Sequence, residues 1–315
     1  MTKKMAKIPL VIFNKQLGDV LLLEPALAKL AAYTKGPVAL STRKAFAPLL
    51  SLMENVIPAD EGFPATASSI ICFDPKFKAW LHSFWTRAPI KSLIVTRPKH
   101  LRWWHKLVFR EACKAINEDA FYRAQYFFEV MPGSAPMPFR PPRLLAPPVE
   151  WQLAGLPESY VVLHPTSAWK EKSWPVEYWA KALRELHEKG VGPFIVTGGN
   201  SAWETEYAQT LESLASLPLI NLCGKTDLKG YLSLISKASM VLCIDGSATH
   251  LASAFERPSV TLFGPTHPLH WHYPSPHSTL VDAHHFASER KPTISCIPVD
   301  IVIEASINCW RNGKS

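Results

Sequence analysis

The sequence has no stretch able to cross a bilayer: its apolar runs stop well short of the roughly 18–20 residues that a spanning helix needs. Lys3, Lys4 and Lys7 are followed only by a short apolar run over 8–13, too brief for the core of a signal peptide and without a cleavage pattern. That run reads as a first buried strand, and a cytoplasmic chain is the default expectation. The six cysteines, Cys72, Cys113, Cys223, Cys243, Cys296 and Cys309, form no CxxC pair, so zinc-ribbon and thioredoxin-like readings lack support. Scattered through 315 residues, they are expected as free thiols rather than a disulfide framework. GxGxxG, Walker and GxSxG motifs are all missing, which removes the common nicotinamide, P-loop and serine-hydrolase signatures. Acidic residues are absent between Asp74 and Glu111.

What fills that acid-free stretch is basic and aromatic. Lys76, Lys78, Arg87, Lys91, Arg97, Lys99, Arg102, Lys106 and Arg110 alternate with Trp80, Phe84, Trp85, Trp103, Trp104 and Phe109, within a chain of net charge +8. Such a surface attracts phosphate-rich partners, a membrane face or nucleic acid. Equally, it reads as a solvated helix face laid over core tryptophans.

The chain is 47% hydrophobic and 19% charged, as a folded protein is, and its length suits two domains. Strands are expected at 8–13, 38–40, 70–73 and 92–95, with a helix over about 20–33 carrying apolar residues at 20, 23, 27, 30 and 31. A proline-rich passage over 131–157 can continue neither a helix nor a central strand, so the domain boundary is placed inside it. A second α/β set follows, with strands at 160–164, 194–197, 240–244 and 259–263, helices at 176–189, 203–214, 228–236 and 248–255, and a final helix near 299–311. Strands alternating with helices imply parallel βαβ units, and two such halves imply a ligand cleft between them.

The densest stretch is VLCIDGSATHLASAFERPSVTLFGPT, residues 241–266. An apolar strand runs into Asp245-Gly246-Ser247, a helix begins there, and a second apolar strand ends at Gly264-Pro265-Thr266. A helix start offers unpaired N–H groups and partial positive charge, so the turn reads as an anion site at the carboxyl end of a parallel strand. His250 lies in the first turn of that helix. Lys172, in KEKSWP between strand and helix, can reach a phosphate as a point charge or be an ordinary surface lysine. Asp19, in KQLGDV after the first strand, can present a carboxylate to the cleft or cap the following helix. Gly198-Gly199-Asn200 allows close backbone approach, and Glu204 can hold ribose hydroxyls or simply favour a helix N-terminus. His267, His270 and His272 share a loop, but without nearby acids or cysteines no metal is expected there.

Taken in order, these motifs resemble glycosyltransferase family 9, the ADP-heptose:lipopolysaccharide heptosyltransferases. The matching segments are LGDVLLLEPAL (17–27), HPTSAWKEKSWPVEYW (164–179), TGGNSAWE (197–204), CGKTDL (223–228), DGSATHLASA (245–254) and FGPT (263–266). The resemblance implies a GT-B fold: an acceptor-binding Rossmann-like domain over 1–145, a nucleotide-sugar-binding one over 146–315, and a final helix packing back toward the first. It implies inverting, metal-independent transfer of heptose from ADP-heptose to Kdo or heptose on lipid A, with no cofactor. Asp19 would be the general base and Lys172 the cation on the leaving diphosphate. Thr166 or Ser167, Gly246, Ser247 and His250 would meet the phosphates, Glu204 the ribose, Thr226 the adenosine region and Asp245 the sugar. Arg97, Lys99 and Arg102 would meet a phosphorylated glycolipid, with the protein peripheral on the cytoplasmic face of the inner membrane and no nucleic-acid partner. The same fold with another nucleotide sugar or acceptor is the alternative, as is a catalytically silent glycan- or membrane-binding homologue. Two details depart from the family pattern: Gly246 precedes Ser247 where Thr or Ser precedes Gly, and the turn after His164 is one residue longer.

Overall fold

The computed structural model describes residues 8–59, 66–96, 98–114, 122–133 and 137–313. The chain divides into two compact units, Met1–Leu145 and Ala146–Ser315. The division falls inside the proline-rich passage for a physical reason. Glu24, almost fully buried, accepts both Nη atoms of Arg140 at 2.7 Å and the Arg143 amide at 3.0 Å, and the Leu145 amide donates to Leu52. The first part of the passage is therefore fastened to the N-terminal unit.

In that unit the strands are β1 (Leu10–Ile12), β2 (Val38–Ser41), β3 (Val56–Pro58), β4 (Ser69–Cys72), β5 (Ile90–Val95) and β6 (Glu111–Lys114). They form one parallel sheet in the order β3-β2-β1-β4-β5-β6. Its helices are α1 (Leu17–Leu22), α2 (Glu24–Thr34), α3 (Ala47–Leu50), α4 (Phe77–Trp85) and α5 (Arg123–Val130). The single helix expected over 20–33 is two, because Pro25 at the start of α2 has no N–H and its ring excludes a continuous helical turn. The chain instead turns at Leu23, the C-cap of α1 and N-cap of α2.

The C-terminal unit repeats the plan with β7 (Val161–His164), β8 (Phe194–Val196), β9 (Leu219–Asn221), β10 (Met240–Ile244), β11 (Ser259–Phe263) and β12 (Ser278–Asp282). Its order is β12-β11-β10-β7-β8-β9, again all parallel. The helices are α6 (Val176–Glu188), α7 (Ala202–Ala215), α8 (Leu228–Lys237), α9 (Ser247–Ala254), α10 (Pro268–Trp271) and α11 (Val299–Asn312). β7, β8, β10 and β11 are buried along their whole length, which is why they are mostly apolar, with His164, Ser259 and Thr261 as the buried polar exceptions. α6 buries Trp179, Ala180, Ala182, Leu183 and Leu186, one helical face, and Trp174 meets Trp179 edge-on at 4.9 Å. The final helix α11 packs on α6, β11 and β12 in the core of its own unit through Val302, Ile303, Cys309 and Trp310.

In each sheet the chain winds outward from the first strand on one side, then returns to build the other side. The order therefore reverses between β1 and β4 in one unit and between β7 and β10 in the other. At such a switch point the loops leaving the two carboxyl ends diverge, and the crevice that opens takes ligands.

Candidate active site

The loops after β7 and β10 supply the C-terminal unit's crevice. After β10 come Asp245 and then Gly246, the N-cap of α9, whose backbone is extended at φ −180° and ψ −162°. No side chain caps α9 at this residue. The first amides of α9 thus retain the donors and partial positive charge expected of an anion seat. A Cβ added at Gly246 would meet nothing nearer than 3.8 Å, and its φ suits any residue. The departure from Thr or Ser here is therefore a lost hydroxyl and not a backbone requirement.

Facing this turn is a part-buried charge pair. Lys172 closes a 3-10 turn, Lys170–Lys172, and its Nζ lies 2.5 Å from Asp245 Oδ2. Thr266, from the FGPT segment after β11, donates its hydroxyl to the same oxygen at 2.6 Å. Lys172 also lies over the Trp169 ring at 5.1 Å. Side chains from three loops thus converge, and Lys172 is held at the switch point rather than free in solvent. Residue 266 carried no role in the sequence reading; its position three residues past the end of β11, in a recognised motif, was the available signal.

Glu204 is a second knot. Buried in the first turn of α7, it accepts Thr166 Oγ1 at 3.0 Å and the Gly199 amide at 3.0 Å on Oε1, and Ser201 Oγ at 2.6 Å on Oε2. A carboxylate has about four acceptor positions, so three donors leave room for one more. A Cβ at Gly199 would come within 2.4 Å of the carboxylate, so a larger residue there would push Glu204 away from its donors. The two hydroxyls after His164 also separate: Thr166 is buried against Glu204, whereas Ser167 is half-buried and forms a local turn with Trp169. Ser167 is also the side chain beside Gly246. Beneath, the Tyr231 hydroxyl lies 3.4 Å from His164 Nδ1 and the two rings are 5.4 Å apart, tying α8 to the end of β7. Thr226 sits half-buried in the turn between β9 and α8.

In the N-terminal unit, Asp19 occupies the first turn of α1, half-buried, just beyond the carboxyl end of β1 at that sheet's switch point. It is not the helix cap, since Gln16 holds that position. Lys99 and Arg102 are exposed in the segment after β5, and Arg97 lies outside the described residues.

Residues 146–296 match the model of glycosyltransferase family 9 (heptosyltransferase). The C-terminal unit belongs to glycosyltransferase family 9. Lipopolysaccharide heptosyltransferase 3 of Escherichia coli K12 is 25% identical over 166 residues, 50% of this chain and 48% of that protein. The chain spans about half the length of this relative, and a third of others matched. Among solved structures, a family 9 glycosyltransferase of Veillonella parvula superposes with TM-score 0.81 at 16% identity, covering 98% of both chains. The ADP-heptose lps heptosyltransferase II of E. coli gives 0.79 at 18% identity, over 98% of this chain and all of that one. At such identity these likenesses carry the fold, and they bear out the GT-B class with its two parallel-sheet α/β domains.

Within the family 9 unit two histidines are held neutral. Burial lowers His164 and His250 to about 4; for His250, Lys172 and His272 lower it further while Asp245 acts the other way. His250 is thus a neutral ring able to take part in hydrogen bonds. An unfolded histidine protonates near 6.5, so below that pH the unfolded chain binds protons that the folded one does not. This stabilisation is complete above pH 6.5 and is lost toward pH 4, about 2–3 kcal/mol for each histidine by pH 4.5. Thermal melts from pH 7.5 to 4.5 should fall accordingly, and a flat profile would contradict it. His267 caps α10, and His272 Nε2 bonds Ser278. Among the described residues no group of three His, Cys, Asp or Glu side chains is placed to hold a metal ion.

Proposed function

We propose that the chain is an inverting heptosyltransferase that moves heptose from ADP-heptose to a lipopolysaccharide inner-core sugar, Kdo or heptose on lipid A. The observation that carries this reading is the Lys172–Asp245–Thr266 cluster facing the start of α9 at the switch point of a family 9 unit. The donor named for the E. coli heptosyltransferase II supports ADP-heptose.

In this reading the diphosphate rests on the α9 amides and Ser247, with Lys172 on the leaving oxygen and His250 as a neutral partner. Ser167, beside Gly246, meets the phosphates, and Thr166 braces Glu204. Glu204 takes a ribose hydroxyl at its remaining acceptor position, and Thr226 flanks the adenosine. Asp245, already held through Oδ2, accepts a sugar hydroxyl through Oδ1. Asp19 takes the proton from the acceptor hydroxyl. The acceptor oxygen attacks C1 of heptose from the face opposite ADP, the C1–O bond breaks with its electron pair, and ADP departs. The chemistry needs charge stabilisation where the leaving oxygen becomes negative, and Lys172 and the helix start supply it without a metal. Lys99 and Arg102, with Arg97, meet phosphates of the glycolipid, and the enzyme works at the cytoplasmic face of the inner membrane.

Calorimetric titration with ADP, UDP and GDP tests the donor. ADP should bind at least about tenfold tighter than the others, a difference of about 1.4 kcal/mol. Preference for UDP or GDP would keep the fold and overturn the donor, a result for which the missing hydroxyl at Gly246 would be the first suspect.

A further inference from the structure

α4 has its amphipathic character reversed. It buries Ala79, His82 and Ser83, small or polar residues, and turns Phe77, Leu81, Phe84 and Trp85 outward. A helix on a water-facing surface does the opposite. The 3-10 turn Trp103–Leu107 repeats the pattern: His105 is buried while Trp103 and Leu107 are 77% and 68% exposed. The two elements are joined rigidly. Trp80 Nε1 donates to the Trp104 carbonyl at 3.0 Å, their rings meet edge-on at 5.8 Å, and the His105 ring is 2.9 Å from the Pro75 carbonyl. Phe77 and Phe84 stack on Trp80 at 5.4 and 5.5 Å, making a fixed aromatic ladder.

Lys76, Lys78, Arg102 and Lys106 are exposed on or beside these same elements, and residues 75–110 contain no acid. We propose that this face is a membrane-docking surface that lies in the headgroup layer of an anionic bilayer. Its aromatic side chains reach the acyl boundary, and its cations rest on lipid phosphates. Large exposed aromatics rimmed by cations suit that layer, where one end of each side chain is apolar and the other wet. No helix among the described residues is long and apolar enough to cross a membrane, so the contact is interfacial. A second copy of the chain is a poor occupant, because an isologous contact would set this cationic rim against itself. The surface adds to the proposed function only its purpose, since a lipid-linked acceptor sits at such an interface; the docking itself requires no transfer.

The test is co-sedimentation of the full chain with vesicles of phosphatidylcholine alone and of phosphatidylcholine mixed with phosphatidylglycerol. Binding is expected to the anionic vesicles and to weaken with salt. The double variants Phe84→Ser with Trp85→Ser, and Lys78→Glu with Lys106→Glu, should each bind at least about tenfold more weakly. All four side chains point outward, so thermal melts should show intact folds, and ADP titration should be unchanged. Absence of vesicle binding, or equal binding by the variants, overturns the proposal. So does binding to an oligonucleotide in place of vesicles, or self-association of the wild type that the aromatic variant abolishes. The vesicles contain no sugar acceptor, so failure here leaves the transferase reading standing, and failure of ADP binding leaves the docking face standing.

Discussion

Asp19→Asn is expected to lower transfer by about 10²–10⁴-fold while ADP binding stays within about twofold. Asparagine keeps the size of the side chain and still accepts a hydrogen bond from an acceptor hydroxyl, but it cannot take the proton. Folding should survive the change. Asp19 lies in the first turn of α1 and is not its cap. At the helix start the substitution removes a favourably placed negative charge, worth about 0.3–1 kcal/mol. The groups assigned to the donor, Lys172, Glu204, Asp245 and Ser247, all belong to the other unit. Substrate KM should move little while kcat collapses, the pattern of an interaction used mainly in the transition state. A variant that transfers sugar at the wild-type rate would remove Asp19 from the reaction. A variant that loses ADP binding as well would point to a structural role.

The parts of this fold that were legible in the sequence are those buried on both faces. β10 and β11 fall on the expected spans 240–244 and 259–263 because a strand covered on both sides is dominated by apolar residues, even where β11 admits Ser259 and Thr261. β9 and β12 are edge strands with half-buried residues, so Leu219–Asn221 and Ser278–Asp282 lack that signal. α4 was unreadable for a different reason. Its large apolar residues do recur at helical spacing, but they mark the exposed face, and a reading that assumes apolar means inside has no place for it. The competing readings of the basic, aromatic stretch each describe part of it: Trp80 and Trp104 are packed together, while Trp85 and Trp103 face solvent. At the site, sequence supplied the residues and not their pairing. Lys172 and Asp245 are 73 positions apart, and only the parallel register of β7 beside β10 brings their loops together. Likewise Thr166 and Ser167 are equivalent on paper; burial against Glu204 separates them.

Lys172→Ala should weaken ADP binding by about 10²-fold and reduce transfer further, by another 10²-fold or so, because two separate effects add. A charge-assisted contact to the diphosphate disappears, worth about 1.5–3 kcal/mol. In addition Asp245, buried and now held by Thr266 alone, would present an uncompensated carboxylate to an incoming anion. Loss of the pair should also lower the melting temperature of the ligand-free protein, which a surface lysine would not do. The double variant Lys172→Ala with Asp245→Asn separates the two effects. Removing the carboxylate's charge relieves the repulsion, so part of the ADP affinity and most of the melting temperature should return. Transfer should not return, because no cation remains to stabilise the leaving oxygen as the C1–O bond breaks. If the single variant binds ADP as the wild type does, Lys172 does not touch the diphosphate, and the ion pair is a structural latch between the β7 and β10 loops. If the double variant regains transfer along with binding, the α9 helix start alone carries the developing charge.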